Sequence, residues 1–94
     1  MTYRLVYHPA VAEEDLPEIP TNIRARIARA IETRLTENPE NFGTPLRGTL
    51  RGYWKLRVGD YRVIYRVVGD EVRIVAIRHR KNVYKEAPAR TPPG

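Results

Sequence analysis

Apolar positions recur at three- and four-residue spacings over much of the first half of the chain and alternate with polar ones over the second half. Tyr3-Arg4-Leu5-Val6-Tyr7 is short, aromatic and β-branched, which predicts a strand that stops at His8-Pro9. Pro9 suits the first turn of a helix. Val11, Ala12 and Leu16 give that helix a narrow apolar stripe beside Glu13, Glu14 and Asp15, read as solvated acids, until Pro17 and Pro20 break the chain. After Pro20, Thr21 or Asn22 can cap a second helix whose Ile23, Ile27, Ala30, Ile31 and Leu35 line one face over about four turns. Asn38-Pro39 ends it, and Glu40 to Arg51 reads as a loop rich in Gly, Thr and Pro.

From Tyr53 the period becomes two, punctuated by Gly59-Asp60 and Gly69-Asp70 at hairpin positions. Three antiparallel strands are predicted at about 53–58, 61–68 and 72–79. A two-residue turn at Gly59-Asp60 sets Val58 opposite Tyr61, Arg57 opposite Arg62, Leu56 opposite Val63, Lys55 opposite Ile64 and Trp54 opposite Tyr65. One face of the sheet then carries Trp54, Leu56, Val58, Tyr61, Val63, Tyr65 and Val67 and must be core, covered by the helices. The other carries Lys55, Arg57, Arg62, Ile64 and Arg66. Through Gly69-Asp70 the ladder pairs Val67 with Val72, Tyr65 with Ile74 and Val63 with Ala76, and sends Arg73, Val75, Ile77 and His79 to the basic face. Parity turns Arg78 and Arg80 the other way, but both lie near the strand end, where a bulge can re-aim them. The fold class is therefore α+β: one domain over 1–87, with an N-terminal strand, two helices and a three-stranded meander packed on them. Residues 88–94, with Pro88, Pro92 and Pro93, are expected to be a disordered tail.

Charge sharpens this picture. The net +6 is uneven: residues 1–45 hold five arginines against seven acids, whereas residues 46–85 hold eleven basic residues against three acids. Arg57 directly opposite Arg62 costs stability through like-charge repulsion, and a bound polyanion would turn that repulsion into attraction. A basic sheet face beside aromatic side chains is one way small domains hold RNA. With no cysteine there is no disulfide, thiolate metal site or cysteine nucleophile. Met1 to Tyr7 lacks the apolar run of a signal peptide, and no stretch reaches the roughly 18 apolar residues of a membrane span. A cytoplasmic protein without a membrane association is expected.

The order strand, two helices, loop, three strands, with Leu46-Arg47-Gly48, then Trp54-Lys55-Leu56-Arg57-Val58-Gly59-Asp60-Tyr61-Arg62-Val63-Ile64-Tyr65, then His79-Arg80-Lys81-Asn82-Val83-Tyr84, resembles the RelE toxins of the RelE/ParE superfamily. The resemblance spans residues 2 to about 87. It implies a type II toxin-antitoxin toxin, an endoribonuclease that cuts messenger RNA in the ribosomal A site and is silenced by a cognate antitoxin, RelB-like or other. By position, Lys55 and Arg57 match the family's basic pair on the first hairpin strand, Arg62 its second-strand arginine, and Arg80 and Tyr84 its C-terminal pair. Two departures stand out. Arg80 and Lys81 compete for one role because the segment before Tyr84 is short, and Arg57 replaces a lysine.

Cutting RNA without a metal or other cofactor requires activating a 2′-hydroxyl, stabilising the phosphorane-like charge and protonating the departing 5′-oxygen. The usual histidine pair is missing: His8 sits at a strand-to-helix junction as a local cap or surface residue, and His79 is at most an RNA contact. A lysine can act as base only where neighbouring cations penalise its charged form, and Lys55 stands beside Arg57 and Arg62. Those arginines suit a clamp on the scissile phosphate, since a guanidinium holds its proton too tightly to donate it. Arg80 would join them and assist at the leaving oxygen, while Tyr84 would stack on a base or pack its segment. Arg47, Arg51, Arg66, His79, Lys81 and Lys85 are candidate contacts to RNA, ribosomal RNA included. Two alternatives stay open: a ParE-like inhibitor of DNA gyrase without nuclease activity, and an inactive module that binds RNA or antitoxin.

Overall fold

The computed structural model describes residues 2–91, and the alternating segments form a five-stranded sheet. β1 (Arg4–Tyr7), β2 (Thr44–Pro45), β3 (Trp54–Val58), β4 (Tyr61–Val68) and β5 (Glu71–His79) lie in the order β1-β5-β4-β3-β2. β3, β4 and β5 are the expected meander, and the helices carry the chain across one face so that β1 pairs parallel with β5. β2 lies inside the segment predicted as a loop, and the short helix α2 (Pro39–Phe42) runs from the predicted helix end into it. Elements of four and two residues leave no period to read, and Pro45 is tolerated because β2 is an edge strand.

The main helix α1 (Thr21–Ala30) continues through Ile31–Leu35 in a wider π-type geometry. Its Ile27, Ala30, Ile31 and Leu35 are buried as the spacing required. Neither Thr21 nor Asn22 caps it. Pro20 holds the cap position, and the Thr21 hydroxyl accepts a hydrogen bond from Arg24 Nη2 at 2.9 Å. The segment after Pro9 is less regular than a simple helix, with a π-type turn at Val11–Asp15 and a 3-10 turn at Leu16–Glu18. His8 caps it locally, its Nδ1 accepting from the Ala10 N–H at 3.1 Å.

The helices cover the face that carries Leu56, Val58, Val63 and Tyr65, the main core. Tyr65 is fully buried, and its hydroxyl donates to the Pro39 carbonyl, tying α2 to the sheet. A Cβ added at Gly43 would overlap the Tyr65 hydroxyl, with Lys55 O 3.2 Å away on another side. Gly43→Ala must therefore displace the ring and break that bond. A loss of about 1–3 kcal/mol, the usual scale of overpacking, is expected in a denaturant melt.

The opposite face is not the open basic surface expected. Ile64, placed there by parity, is fully buried in a second core with Leu50, Tyr53, Val75, Ala76, Val83 and Ala87. This cover comes from the loop before β3 and from the C-terminal segment, where α3 (Val83–Glu86) is followed by a 3-10 turn, Ala87–Arg90. Order thus continues past residue 87 into the segment expected to be a disordered tail, of which residues 92–94 lie outside the described residues. The sheet is thus covered in part on this side as well, while Arg57, Arg66 and Arg73 stay exposed.

The second hairpin departs from simple parity at one point. Val67 pairs with Val72 and Tyr65 with Ile74 as predicted, but the register shifts next to Tyr65, so Ile64 meets Ala76, Val63 meets Ile77 and Arg62 meets Arg78. Val75 is the extra residue. The bulge sends Ile77 into the main core instead of the basic face, turns Arg78 onto the outer face, and moves His79 to the helix side, opposite Tyr61.

Candidate functional site

Around the Gly59-Asp60 turn the predicted register holds at every position, with Arg57 opposite Arg62 and Lys55 opposite Ile64. Gly59 has φ +58°, a conformation few side chains tolerate, which is why glycine stands at this tight turn. With the bulge, Arg57, Arg62 and Arg78 form one row across β3, β4 and β5. Three guanidinium groups side by side would repel one another, and the surrounding groups moderate this. Arg78 Nη1 lies 3.0 Å from Asp15 Oδ1 and its Nη2 3.6 Å from Glu86. Arg62, only 8% exposed, donates from Nη1 to the Gly59 carbonyl at 3.0 Å and to the Tyr61 carbonyl at 2.9 Å. Arg62 is therefore buried and braced by the turn, where the sequence placed it on an open face. Its Nε and Nη2 keep no protein partner among the described residues. Arg57 is exposed and makes no ion pair among them.

Tyr84, on α3, meets Lys55, two residues before Arg57 on β3. Lys55 Nζ lies 5.8 Å from the centre of its ring, within cation–π range. Packing of α3 falls to Val83 and Ala87, both fully buried, which leaves Tyr84 45% exposed and free to meet a ligand. Arg80 lies at the rim, its Nε 3.6 Å from Asp60 Oδ1 and its backbone N–H on the Asp60 carbonyl. The fold thus brings together Lys55, Arg57, Arg62 and Tyr84, with Arg80 at the edge. Exposed Lys81 and Lys85 flank Tyr84 in sequence, and Arg47 and Arg51 are exposed in the loop before β3.

Two candidates fall elsewhere. Arg66 stacks 5.8 Å over Tyr53 and pairs across the ladder with Arg73, toward the Gly69 end of the sheet. His79 meets Tyr61 edge-on at 5.5 Å on the helix side, and its Nδ1 accepts from the Lys81 N–H, so the basic face does not include it.

Asp15, read as a solvated acid, is fully buried. β1 ends at Tyr7, so the β5 edge beyond Ile74 lacks a neighbouring strand, and Asp15 fills the gap by accepting the Ile77 N–H at 2.8 Å. It also binds Arg78 and takes a two-pronged grip from Arg90, Nη1 at 2.6 Å and Nη2 at 2.8 Å. Burial alone would raise this carboxyl's pKa, but the bonds from Arg90, the Ile77 N–H and Arg78 outweigh it and hold the group below the ordinary carboxylate value. Among the described residues no three of His, Asp and Glu gather as metal ligands.

A row of three guanidinium groups, two of them braced, with a lysine and an exposed tyrosine on a small α+β sheet, defines a basic site suited to phosphodiester recognition. The chain belongs to the RelE/ParE superfamily of toxins of type II toxin-antitoxin systems. The profile of the ParE toxin of type II toxin-antitoxin system, parDE, matches residues 5–84. Toxin RelE of Mycobacterium tuberculosis is 36% identical over 89 residues, covering 89% of this chain and 92% of the relative. Toxin RelE3 of Methanocaldococcus jannaschii is 33% identical over 78 residues, covering 80% and 89%. In the crystal structure of the toxin-antitoxin complex RelBE2 from M. tuberculosis, one chain superimposes with a TM-score of 0.74 at 29% identity, over 85% of this chain and all of that one. A free-state mutant of E. coli RelE gives 0.74 at 22% identity over 98% of this chain and all of that one, a likeness of fold.

Proposed function

We propose that this toxin is a ribosome-dependent endoribonuclease that cuts messenger RNA by attack of a 2′-hydroxyl without a metal. The observation that carries the reading is the meeting of Lys55 with Tyr84 beside Arg57 and Arg62 on one sheet face. Lys55 takes the 2′-hydroxyl proton, the 2′-oxygen bonds to phosphorus as the bond to the 5′-oxygen breaks, and the departing 5′-oxygen takes a proton from solvent water at the open rim, where Arg80 stabilises its developing charge. The products are a 2′,3′-cyclic phosphate and a 5′-hydroxyl. Arg57 and Arg62 hold the phosphate through this step, Arg62 already oriented by its two carbonyl bonds. Tyr84 stacks on the base beside the cut. Arg47, Arg51, Lys81 and Lys85 contact flanking or ribosomal RNA. The work is cytoplasmic, where messages are translated; no helix among the described residues is long and apolar enough to cross a membrane. The partner that silences it is an antitoxin, by analogy with the RelB-RelE complexes among its structural relatives.

The second reading, a ParE-like inhibitor of DNA gyrase, is favoured by the description of the matching profile. Inducible expression with mapping of messenger 5′ ends separates the two. New 5′-hydroxyl ends within translated regions, absent when Lys55 and Arg62 are both alanine, are expected. Inhibition of gyrase supercoiling by purified protein, with no new messenger ends, would establish the second reading instead.

A further inference from the structure

Counted along the chain, Arg26, Arg29 and Arg34 vanish into a half with more acids than bases. The fold separates them from those acids. β2 pairs with β3 only at Trp54 and Lys55, so the rest of that β3 edge has no strand beside it, and α1 with its continuation runs past it. Between them opens a crevice of about 220 Å³ lined by Arg26, Arg29, Thr33, Arg34, Arg57 and Gly59, with Ala30 and Val58 the apolar residues. No carboxylate lines it, and none of the four arginines forms an ion pair among the described residues. Two of them lie against neighbouring elements. Arg26 Nη1 lies 3.3 Å from the position of a Cβ at Gly59, against the turn that carries the candidate site, and Arg34 stacks 5.9 Å over Phe42.

Four unpaired guanidinium groups around so small a space repel one another until an anion enters, and their planar donors match a phosphate's oxygens. We propose that this crevice holds a backbone phosphate of the RNA beyond the scissile one. The inference rests on the RNA reading above, which it extends around the β3 edge. Arg57 lines the crevice and also belongs to the site row, so one strand of RNA can bridge the two. An acidic peptide is the competing occupant, and the walls disfavour it. Peptides anchor through apolar side chains in apolar pockets, and such a groove lies elsewhere, along Val6, Tyr53, Ile74 and Val75.

The test uses the full chain and purified ribosomes carrying a message, titrated from low to physiological salt. Arg26 and Arg29 are exposed, so Arg26→Gln with Arg29→Gln should melt at the parent temperature. Its ribosome affinity should fall by roughly tenfold, and the slope of log affinity against log salt should become shallower by about 0.7 to 0.9, the loss of one phosphate contact. Arg26→Lys with Arg29→Lys keeps the charge and should restore most of the slope; failure to do so would assign the loss to packing and overturn the proposal. Parent affinity and slope in the glutamine variant would also overturn it. So would weaker capture of a co-expressed RelB-type antitoxin with ribosome binding intact, which would point to the acidic peptide. If the parent shows no salt-dependent ribosome binding, the RNA reading itself fails and takes this inference with it; if the parent binds and only the arginine variants match it, the RNA reading stands.

Discussion

Asp15→Ala is expected to cost about 3–5 kcal/mol, the scale of removing one partner from a buried ion pair. Its carboxylate is fully buried and accepts from the Ile77 N–H, Arg78 and Arg90. The alanine leaves the Ile77 N–H without its acceptor and the mostly buried Arg90 guanidinium with only the Val75 carbonyl at 3.1 Å and the exposed Glu14 carboxylate at 3.7 Å. For a domain of this size the melting temperature should drop by roughly 15–30 °C, whereas Glu13→Ala, at an exposed neighbour, should leave it unchanged. Acid offers a second measurement. The Asp15 pKa is lower folded than unfolded, so its contribution is fully present above the unfolded value, near pH 4, and disappears as pH falls through the folded value. Stability of the parent should fall with acid below about pH 4, and Asp15→Asn should flatten that fall. The network also has a functional consequence, because Arg90 closes the segment that begins at α3 and carries Tyr84. Cleavage should decline in Asp15→Ala even at temperatures where the protein stays folded. A variant that melts with the parent would mean that Arg90 does not hold this segment down.

Arg62→Ala is expected to lower the rate of message cleavage by on the order of a hundredfold, the usual effect of losing one preorganised charge at a transition state. Its stability effect is small because two terms oppose. The alanine loses the bonds from Nη1 to the Gly59 and Tyr61 carbonyls, about 1 kcal/mol each. It also relieves repulsion with Arg57 on one side and Arg78 on the other, up to about 1 kcal/mol for each cross-strand pair. The register alone predicts no fold role for this side chain; the carbonyl bonds give it a modest one. Arg62→Lys should recover only part of the rate, since an ammonium cannot brace the turn and fork onto a phosphate at once. Single-turnover cleavage of a ribosome-bound message, measured beside thermal melts, separates the terms. Cleavage at the parent rate would remove Arg62 from the reaction.

What the sequence determined by itself is whatever depends on neighbours along the chain. The spacing of Ile27, Ala30, Ile31 and Leu35 defined the buried stripe of the main helix, and Gly59-Asp60 with strict alternation set the β3–β4 register to the residue. Lys55 beside Arg57 and Arg62 was therefore legible before any fold was known, because a two-residue turn fixes which side chains share a face. The bulge at Val75 was not legible: one extra residue in the run Ile74-Val75-Ala76-Ile77 leaves an apolar string unchanged while reversing every side chain beyond it. That reversal decided where Ile77, Arg78 and His79 point. Tertiary structure also decided what covers the second face and which charges are buried. Asp15 and Arg90 stand 75 positions apart, and nothing local distinguishes Asp15 from the exposed Glu13 and Glu14 next to it. Only an unpaired β5 edge, left where β1 stops, gives that carboxylate a backbone donor to satisfy. Arg26 and Arg29 likewise enter only as charges counted in an acidic half until the fold lays their helix along the open edge of β3. Electrostatic neighbourhoods are set by distance in space, and a charge count along the chain averages over just the separations that the fold removes.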